Sequence, residues 1–333
     1  MEPALNIVVL LNSPEDVRRQ YREGIPAGAD NVSVQVINDV DEIDPHLATM
    51  DVLMTYGTFL RDRAEHVFGH SPRLRWIQAL GSGIDNLRPA RNDIVITCIR
   101  GIHDSAVSEA AFSGMLALSR NLPQVLRNQQ ARNWERLPSR LLDGKCVGML
   151  GVGLIAEALA RRCKAFGMTV VGITSRTSAV PGFDQLRPRR ALLEAVADLD
   201  ILVVLAPYTA DNHHLVDAAT LAAMKPGSFL VNVARGGVVD EAALLRSLQS
   251  GHIAGAALDV FAEEPLADRS PFWTMPNVIV TPHVAGMNVD YVQRALPIIL
   301  ANIHAFRAND IARMKELVHA GGDAPAKASA SAA

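Results

Sequence analysis

Arg235, Asp259, Glu264 and His283 each stand at or just beyond the end of an apolar run in the last third of the chain. Arg235 follows the run 229–233, within Val231-Asn-Val-Ala-Arg235-Gly-Gly237. Asp259 stands at the end of the run 256–260 with Glu264 in the loop behind it, and His283 comes directly after the run 278–281. If the three runs are neighbouring parallel strands, all four side chains converge on the carboxyl edge of one sheet, where open α/β sheets bind their ligands. A cation there can hold an anionic substrate, an imidazole can move a proton and a carboxylate can tune the imidazole. Taken singly each residue is ordinary: a structural histidine, a loop glutamate, a capping aspartate, a surface arginine.

A second motif supplies the missing reagent. The run 146–150 leads straight into Gly151-Val-Gly153-Leu-Ile-Ala156, after which Ile155, Leu159, Cys163 and Phe166 recur at helical spacing, and another apolar run follows at 169–173. A glycine pair alone is weak evidence, but strand, glycine turn, helix and strand in succession point to a dinucleotide. Gly151 permits the tight turn, and Gly153 lets the backbone approach a pyrophosphate at the helix N-terminus. Ala156 stands in for the third glycine as a small residue for close helix–strand packing. An ordinary βαβ glycine turn is the plain alternative. Where an acidic residue would hold the adenosine ribose, this chain has Thr174-Ser175-Arg176. No carboxylate repels a 2′-phosphate there, two hydroxyls can donate to it and Arg176 can pair with it, so NADP(H) is favoured and NAD remains open. Together with the four side chains, the combination spells hydride transfer.

The elements that must position these residues are legible as short aliphatic runs at 7–11, 32–36, 52–55, 95–98, 146–150, 169–173, 201–205, 229–233, 256–260 and 278–281. Most are apolar throughout, as expected of strands covered on both faces. Helical patterns lie between many of them: Ser13-Pro14-Glu15-Asp16 opens one, and 240–250 closes on Gly251. The fold class is therefore α/β, with two doubly wound parallel-sheet domains. Long helical stretches at 105–119, broken only by Gly114, and from 290 to about 306, interrupted by Pro297, are expected to be interdomain helices. The chain then divides into residues 1–100 with 288–320 as the substrate domain and 101–287 as the dinucleotide-binding domain, with chemistry in the cleft. Residues 321–333, mostly small, are expected to form a disordered tail.

Composition narrows the function classes. The 333 residues suit two domains, and 49% apolar with 20% charged residues suits a large core. A formal charge of −3, from 32 basic and 35 acidic residues, offers no footprint for nucleic acid or an anionic membrane. The first apolar run is a strand's length without a basic lead, so neither a secretory signal nor a membrane span is expected. Three scattered cysteines, Cys98, Cys146 and Cys163, make no disulfide framework and suit core positions in a cytoplasmic protein. The neighbours His213 and His214 lack a third ligand at suitable spacing, so no metal is expected. Trp134 and Trp273 fall in loops, where a lid role and simple packing are both open.

With these segments in order, the chain resembles the D-isomer-specific 2-hydroxyacid dehydrogenase family. The resemblance rests on Gly81-Ser82-Gly83-Ile-Asp-Asn86, Gly151 to Ala156, Asn232-Val-Ala-Arg235-Gly-Gly, Leu258-Asp259-Val-Phe and Thr281-Pro-His283, spanning about residues 76 to 286. It implies a Rossmann cofactor domain beside a flavodoxin-like substrate domain, and reduction of a 2-keto acid to the D-2-hydroxy acid or the reverse. Arg235 would bind the carboxylate and the C2 oxygen, His283 would protonate that oxygen, and Glu264 would hydrogen-bond the imidazole and favour its protonated form. Gly81, Ser82 and Gly83 would offer backbone N–H groups to the same carboxylate. The cofactor would be met by Leu154 and Ile155 at the pyrophosphate, by Val233 and Asp259 around the nicotinamide, by Ala206-Pro207 along the strand edge and by Val107. Ala234, His283 and Gly286 join that set.

Departures from subgroups restrict the substrate. Glu264 stands where formate dehydrogenases pair the histidine with glutamine, and Ser82 stands where phosphite dehydrogenases carry lysine. Relatives that make serine often carry a regulatory domain for which the length leaves no room. Small 2-keto acids such as glyoxylate, hydroxypyruvate or pyruvate-like compounds remain, with a homodimer as the implied assembly. A dinucleotide-sensing corepressor of the same fold, which can keep the arginine, glutamate and histidine, is the alternative from another class.

Overall fold

The computed structural model of the chain describes residues 4–25, 31–89 and 91–321; the expected tail, but for Gly321, lies outside them. These residues fall into two compact units, one running to Ile102 and resuming at Asn288, the other His103–Met287. In chain order the first unit holds β1 (Leu5–Leu10), α1 (Glu15–Gly24), β2 (Val32–Ile37), β3 (Val52–Thr55), α2 (Ala64–Gly69), β4 (Trp76–Ala79) and β5 (Val95–Thr97). The second unit holds α3 (Asp104–Ser119), α4 (Leu122–Gln130), β6 (Cys146–Leu150), α5 (Leu154–Ala165), β7 (Thr169–Thr174), β8 (Gln185–Pro188), α6 (Leu192–Val196) and β9 (Ile201–Val204). It continues with α7 (Ala218–Ala223), β10 (Ser228–Asn232), α8 (Glu241–Gln249), β11 (Ile253–Leu258) and β12 (Val278–Val280). The chain then returns to the first unit with α9 (Tyr291–Arg307) and β13 (Leu317–His319).

The second unit is a seven-stranded sheet ordered β12-β11-β10-β9-β6-β7-β8, and every pairing in it is parallel. Its strands are apolar throughout because both faces are covered. In β10, Leu230 faces a core shared with Leu221, Leu244 and Leu248, while Phe229 and Val231 face another with Met115, Leu159 and Cys163. Gly114 inside α3 is a contact glycine: a β-carbon there would meet Ala257 Cβ at 2.8 Å, so the helix lies close against β11. α8 begins where the Asp240 carboxylate accepts the Ala243 N–H at 2.9 Å, a cap that serves one of the helix's orphan donors.

The first unit is a six-stranded sheet ordered β13-β5-β4-β3-β1-β2. It is parallel except at its edge, where β13 runs antiparallel to β5. Three strands lie beyond the ten apolar runs read from sequence: β4, β8 and β13. The centre of β4 is Gln78, fully buried; its Oε1 accepts from Thr97 Oγ1 at 2.8 Å and from Asn302 Nδ2 at 2.9 Å. Pro297 does not interrupt α9, which runs through it unbroken. An interior proline costs about 3 kcal/mol or more in a helix. Here it stands on the exposed face beside Gln293, the residue whose carbonyl loses its donor, while Val292, Ala295, Ile299 and Ile303 keep the other face buried. α3 and α9, expected to join the domains, each pack into the core of their own unit.

Candidate active site

Because all strands of the second sheet run the same way, the loops after β6, β7, β9, β10, β11 and β12 emerge at one edge. They carry Gly151–Gly153, Thr174–Arg176, Ala206–Pro207, Val233–Arg235, Asp259–Glu264 and Thr281–His283 respectively. The strand order turns between β6 and β9, which is where such sheets leave a crevice.

His283 and Glu264 meet at that edge. The imidazole Nδ1 lies 2.7 Å from Glu264 Oε2, which assigns the Nδ1–H tautomer and leaves Nε2 with no hydrogen-bond partner among the described residues. The imidazole is about one-third exposed, the carboxylate about a quarter. Burial raises the Glu264 pKa, but the hydrogen bond and charge of His283, the Phe261 N–H and the nearby charge of Arg235 outweigh it and hold the carboxyl below its ordinary value. Phe261 N donates to Glu264 Oε1 at 3.0 Å, so one oxygen holds the glutamate's own loop and the other the histidine.

The loop carrying His283 is fixed by Asp259. His283 adopts a left-handed φ of 55°, uncommon for a side chain of its size and maintained only where the surroundings determine it. Its N–H donates to the Asp259 carbonyl at 2.8 Å. The Asp259 carboxylate, 4% exposed, accepts from Thr281 Oγ1 at 2.5 Å, Val284 N at 3.0 Å and Ala285 N at 2.9 Å. The Asp259 carboxylate thus holds the histidine loop in place.

Arg235 is held from β10. Asn232, at the last position of that strand, accepts the Ala234 N–H on Oδ1 at 3.1 Å and donates from Nδ2 to the Arg235 carbonyl at 3.1 Å. The Arg235 guanidinium donates from Nη1 to the Ala234 carbonyl at 2.7 Å. Glu241, in the first turn of α8, accepts the Ala262 N–H at 2.6 Å and so ties down the loop that carries Glu264. Burial pushes the Glu241 carboxyl up, with the Ala262 N–H and the His214 charge acting against it. The positioning roles of Asn232, Thr281 and Glu241 were not read from the sequence.

The glycine turn fits a dinucleotide. Gly151 has φ 101°, and a β-carbon on it would stand 2.7 Å from Ala206 N across the crevice. A β-carbon on Gly153 would meet nothing within 4 Å, leaving the first turn of α5 open where a helix presents its orphan N–H groups. Leu154, next in line, is 62% exposed, Ile155 is half-buried and Ala156 is buried against the sheet. Thr174 is buried and its Oγ1 accepts the Arg176 N–H at 3.1 Å, while Ser175 is exposed. The Arg176 guanidinium lies 3.7 Å from Glu157 on α5. Gly286 and Val107 come together, a β-carbon on the former reaching 3.8 Å from Val107 Cγ2.

Residues 112–285 match the model of the D-isomer specific 2-hydroxyacid dehydrogenase NAD binding domain. The chain belongs to the D-isomer specific 2-hydroxyacid dehydrogenase family. It is 32% identical over 268 residues to the glyoxylate reductase of Thermococcus gammatolerans, covering 76% of this chain and 80% of that protein. It is 35% identical over 243 residues to the (S)-sulfolactate dehydrogenase of Chromohalobacter salexigens, covering 70% and 77%. Among solved structures, an NADPH-dependent glyoxylate/hydroxypyruvate reductase from Sinorhizobium meliloti, in complex with NADP and sulfate, superposes with a TM-score of 0.80 at 26% identity, covering 95% and 98%.

This 2-hydroxyacid dehydrogenase is thus an oxidoreductase that uses a nicotinamide dinucleotide. The remaining residues assigned from sequence lie in the first unit: Gly81, Ser82 and Gly83 follow β4 after Leu80. The Gly81 carbonyl accepts the Ile99 N–H at 3.0 Å, and the Leu80 carbonyl before it accepts the Tyr291 hydroxyl. No helix among the described residues is long and apolar enough to cross a membrane.

Proposed function

We propose that this dehydrogenase is an NADPH-preferring reductase of small 2-keto acids such as glyoxylate, hydroxypyruvate or pyruvate-like compounds, yielding the D-2-hydroxy acid. The 2.7 Å pairing of His283 with Glu264, on the same sheet edge as Arg235, carries the proposal. The bound nicotinamide supplies a hydride to C2 of the keto acid. Arg235 holds the substrate carboxylate and polarises the C2 oxygen, placing positive charge where negative charge develops. His283 delivers the proton from Nε2 to that oxygen, and Glu264 accepts the Nδ1–H and stabilises the imidazolium before transfer. In the oxidative direction the same nitrogen takes the hydroxyl proton. Gly81, Ser82 and Gly83 are assigned to the substrate carboxylate through their backbone N–H groups.

The cofactor is assigned to Gly151, Gly153, Leu154 and Ile155 at the pyrophosphate, to Ala206 and Pro207 at the strand edge, and to Val107, Val233, Ala234, Asp259, His283 and Gly286 around the nicotinamide. Thr174, Ser175 and Arg176 receive the 2′-phosphate. Two relatives named for glyoxylate reduction, one of them NADPH-dependent, agree with this substrate and cofactor choice. The assembly is a homodimer through the second unit. The support is a set of exposed apolar side chains, with Leu122, Val125 and Leu126 on α4 each at least 43% exposed, Trp134 91% and Leu141 64%. Three free cysteines accord with a reducing, cytoplasmic location.

The test is loss of absorbance of NADPH and, separately, NADH against glyoxylate, hydroxypyruvate, pyruvate, phenylpyruvate and 2-ketoglutarate. Turnover of a small keto acid, faster with NADPH, is expected. Tight cofactor binding with silence across the panel would instead favour a dinucleotide sensor.

A further inference from the structure

The amino ends of β6, β9 and β10, at the opposite edge of the second sheet from the catalytic residues, enclose a cavity of about 300 Å³. Arg140, Lys145, Lys225, Asp200, Ser228 and Phe229 are among the residues lining it. Asp200 is already engaged: its Oδ2 accepts the Cys146 N–H at 2.8 Å and its Oδ1 lies 3.4 Å from Lys225 Nζ. Arg140 is fixed across the opening, donating to the Gly227 carbonyl with its guanidinium carbon 5.0 Å over the Phe229 ring. Lys145 has no ion-pair partner among the described residues. The lining therefore carries positive charge well in excess of its single carboxylate.

Ser228, in the lining, is 2% exposed and its hydroxyl is fully buried, so the three cations and the shape of the cavity carry the site. Excess positive charge argues against an apolar or cationic occupant, and the volume is at the small end of metabolite sites. A compact group with several acceptor oxygens and two negative charges satisfies the two ammonium groups and the guanidinium edge together.

We propose that this cavity is a second ligand site of the protein, taking a small dianion of the phosphate or dicarboxylate type. It lies apart from the catalytic edge and stands whether or not the substrate reading above holds. The experiment titrates the full chain, with NADPH and oxamate saturating, with inorganic phosphate in one arm and malonate in the other, by calorimetry. Saturable binding of at least one is expected, and the tighter arm tells a phosphate from a dicarboxylate ligand. Lys145→Gln with Lys225→Gln should weaken it by about tenfold, or ~1.4 kcal/mol, with the keto-acid KM unchanged. The proposal fails if neither anion saturates at tens of millimolar, or if binding is the same in the double variant.

Discussion

Gly236 lies against the backbone of Phe261 so closely that a β-carbon on it would overlap the Phe261 carbonyl carbon. The loop that follows Arg235 and the loop that leads to Glu264 are thus in main-chain contact, with no side chain between them. Arg235 and the His283–Glu264 pair inherit their relative placement from that contact, one fixed by β10, the other by β11.

Gly236→Ala should consequently separate the two loops. Because a displacement of about 1 Å at a reacting centre can cost ~100-fold, kcat/KM for keto-acid reduction should fall on that scale. NADPH affinity, which depends on the turn after β6, should change little. Steady-state kinetics beside fluorescence titration of NADPH separates the two, and undiminished turnover would show that the loops absorb the added carbon elsewhere.

His283→Ala removes the proton donor and leaves the glycine turn untouched. Reduction should drop by at least about 100-fold, the scale of lost general acid catalysis, with cofactor binding intact. Near-normal turnover in this variant would remove His283 from the chemistry.

Glu264 ties acid stability to the site. Its folded pKa lies below the ordinary carboxylate value, so between the two values the unfolded chain binds the extra proton and stability rises with pH. The contribution is full above the unfolded value and vanishes as pH falls through the folded one. Urea unfolding from neutrality down through about pH 4 should show this loss in the wild type and a shallower one in Glu264→Gln. Equal slopes for the two proteins would contradict the pairing.

Arg176→Asp places a carboxylate where the 2′-phosphate is assigned, next to Glu157. The NADPH-to-NADH ratio of kcat/KM should fall by about tenfold or more, ~1.4 kcal/mol of discrimination. A ratio that does not move takes Arg176 out of the cofactor site.

Patterns that burial imposes on both faces of a strand were legible in the sequence: β3 and β6 begin and end where the apolar runs do. β4 was missed because Gln78 breaks its run, and only the fold brings Thr97 and Asn302 to that amide. β8 is largely exposed and polar, and β13 is a three-residue edge, so neither leaves an apolar signature. Pro297 reads as a break until the face it occupies is known to be the solvent side. At the site, the residues of the chemistry stood out by type and by position after strands. The residues that hold them did not, because Asp259 works through main-chain N–H groups about 25 positions away and Glu241 through Ala262. No residue type announces which distant amide it will meet.

The first unit is assembled from both ends of the chain, and α9 supplies Tyr291, Val292, Ala295, Ile299, Ile303 and Phe306 to its core. During synthesis, therefore, the residues up to Ile102 are made while the core around Trp76 still lacks α9, whereas the second unit is contiguous and can close as soon as β12 is out. The core of the first unit can thus close only after the whole second unit has been made.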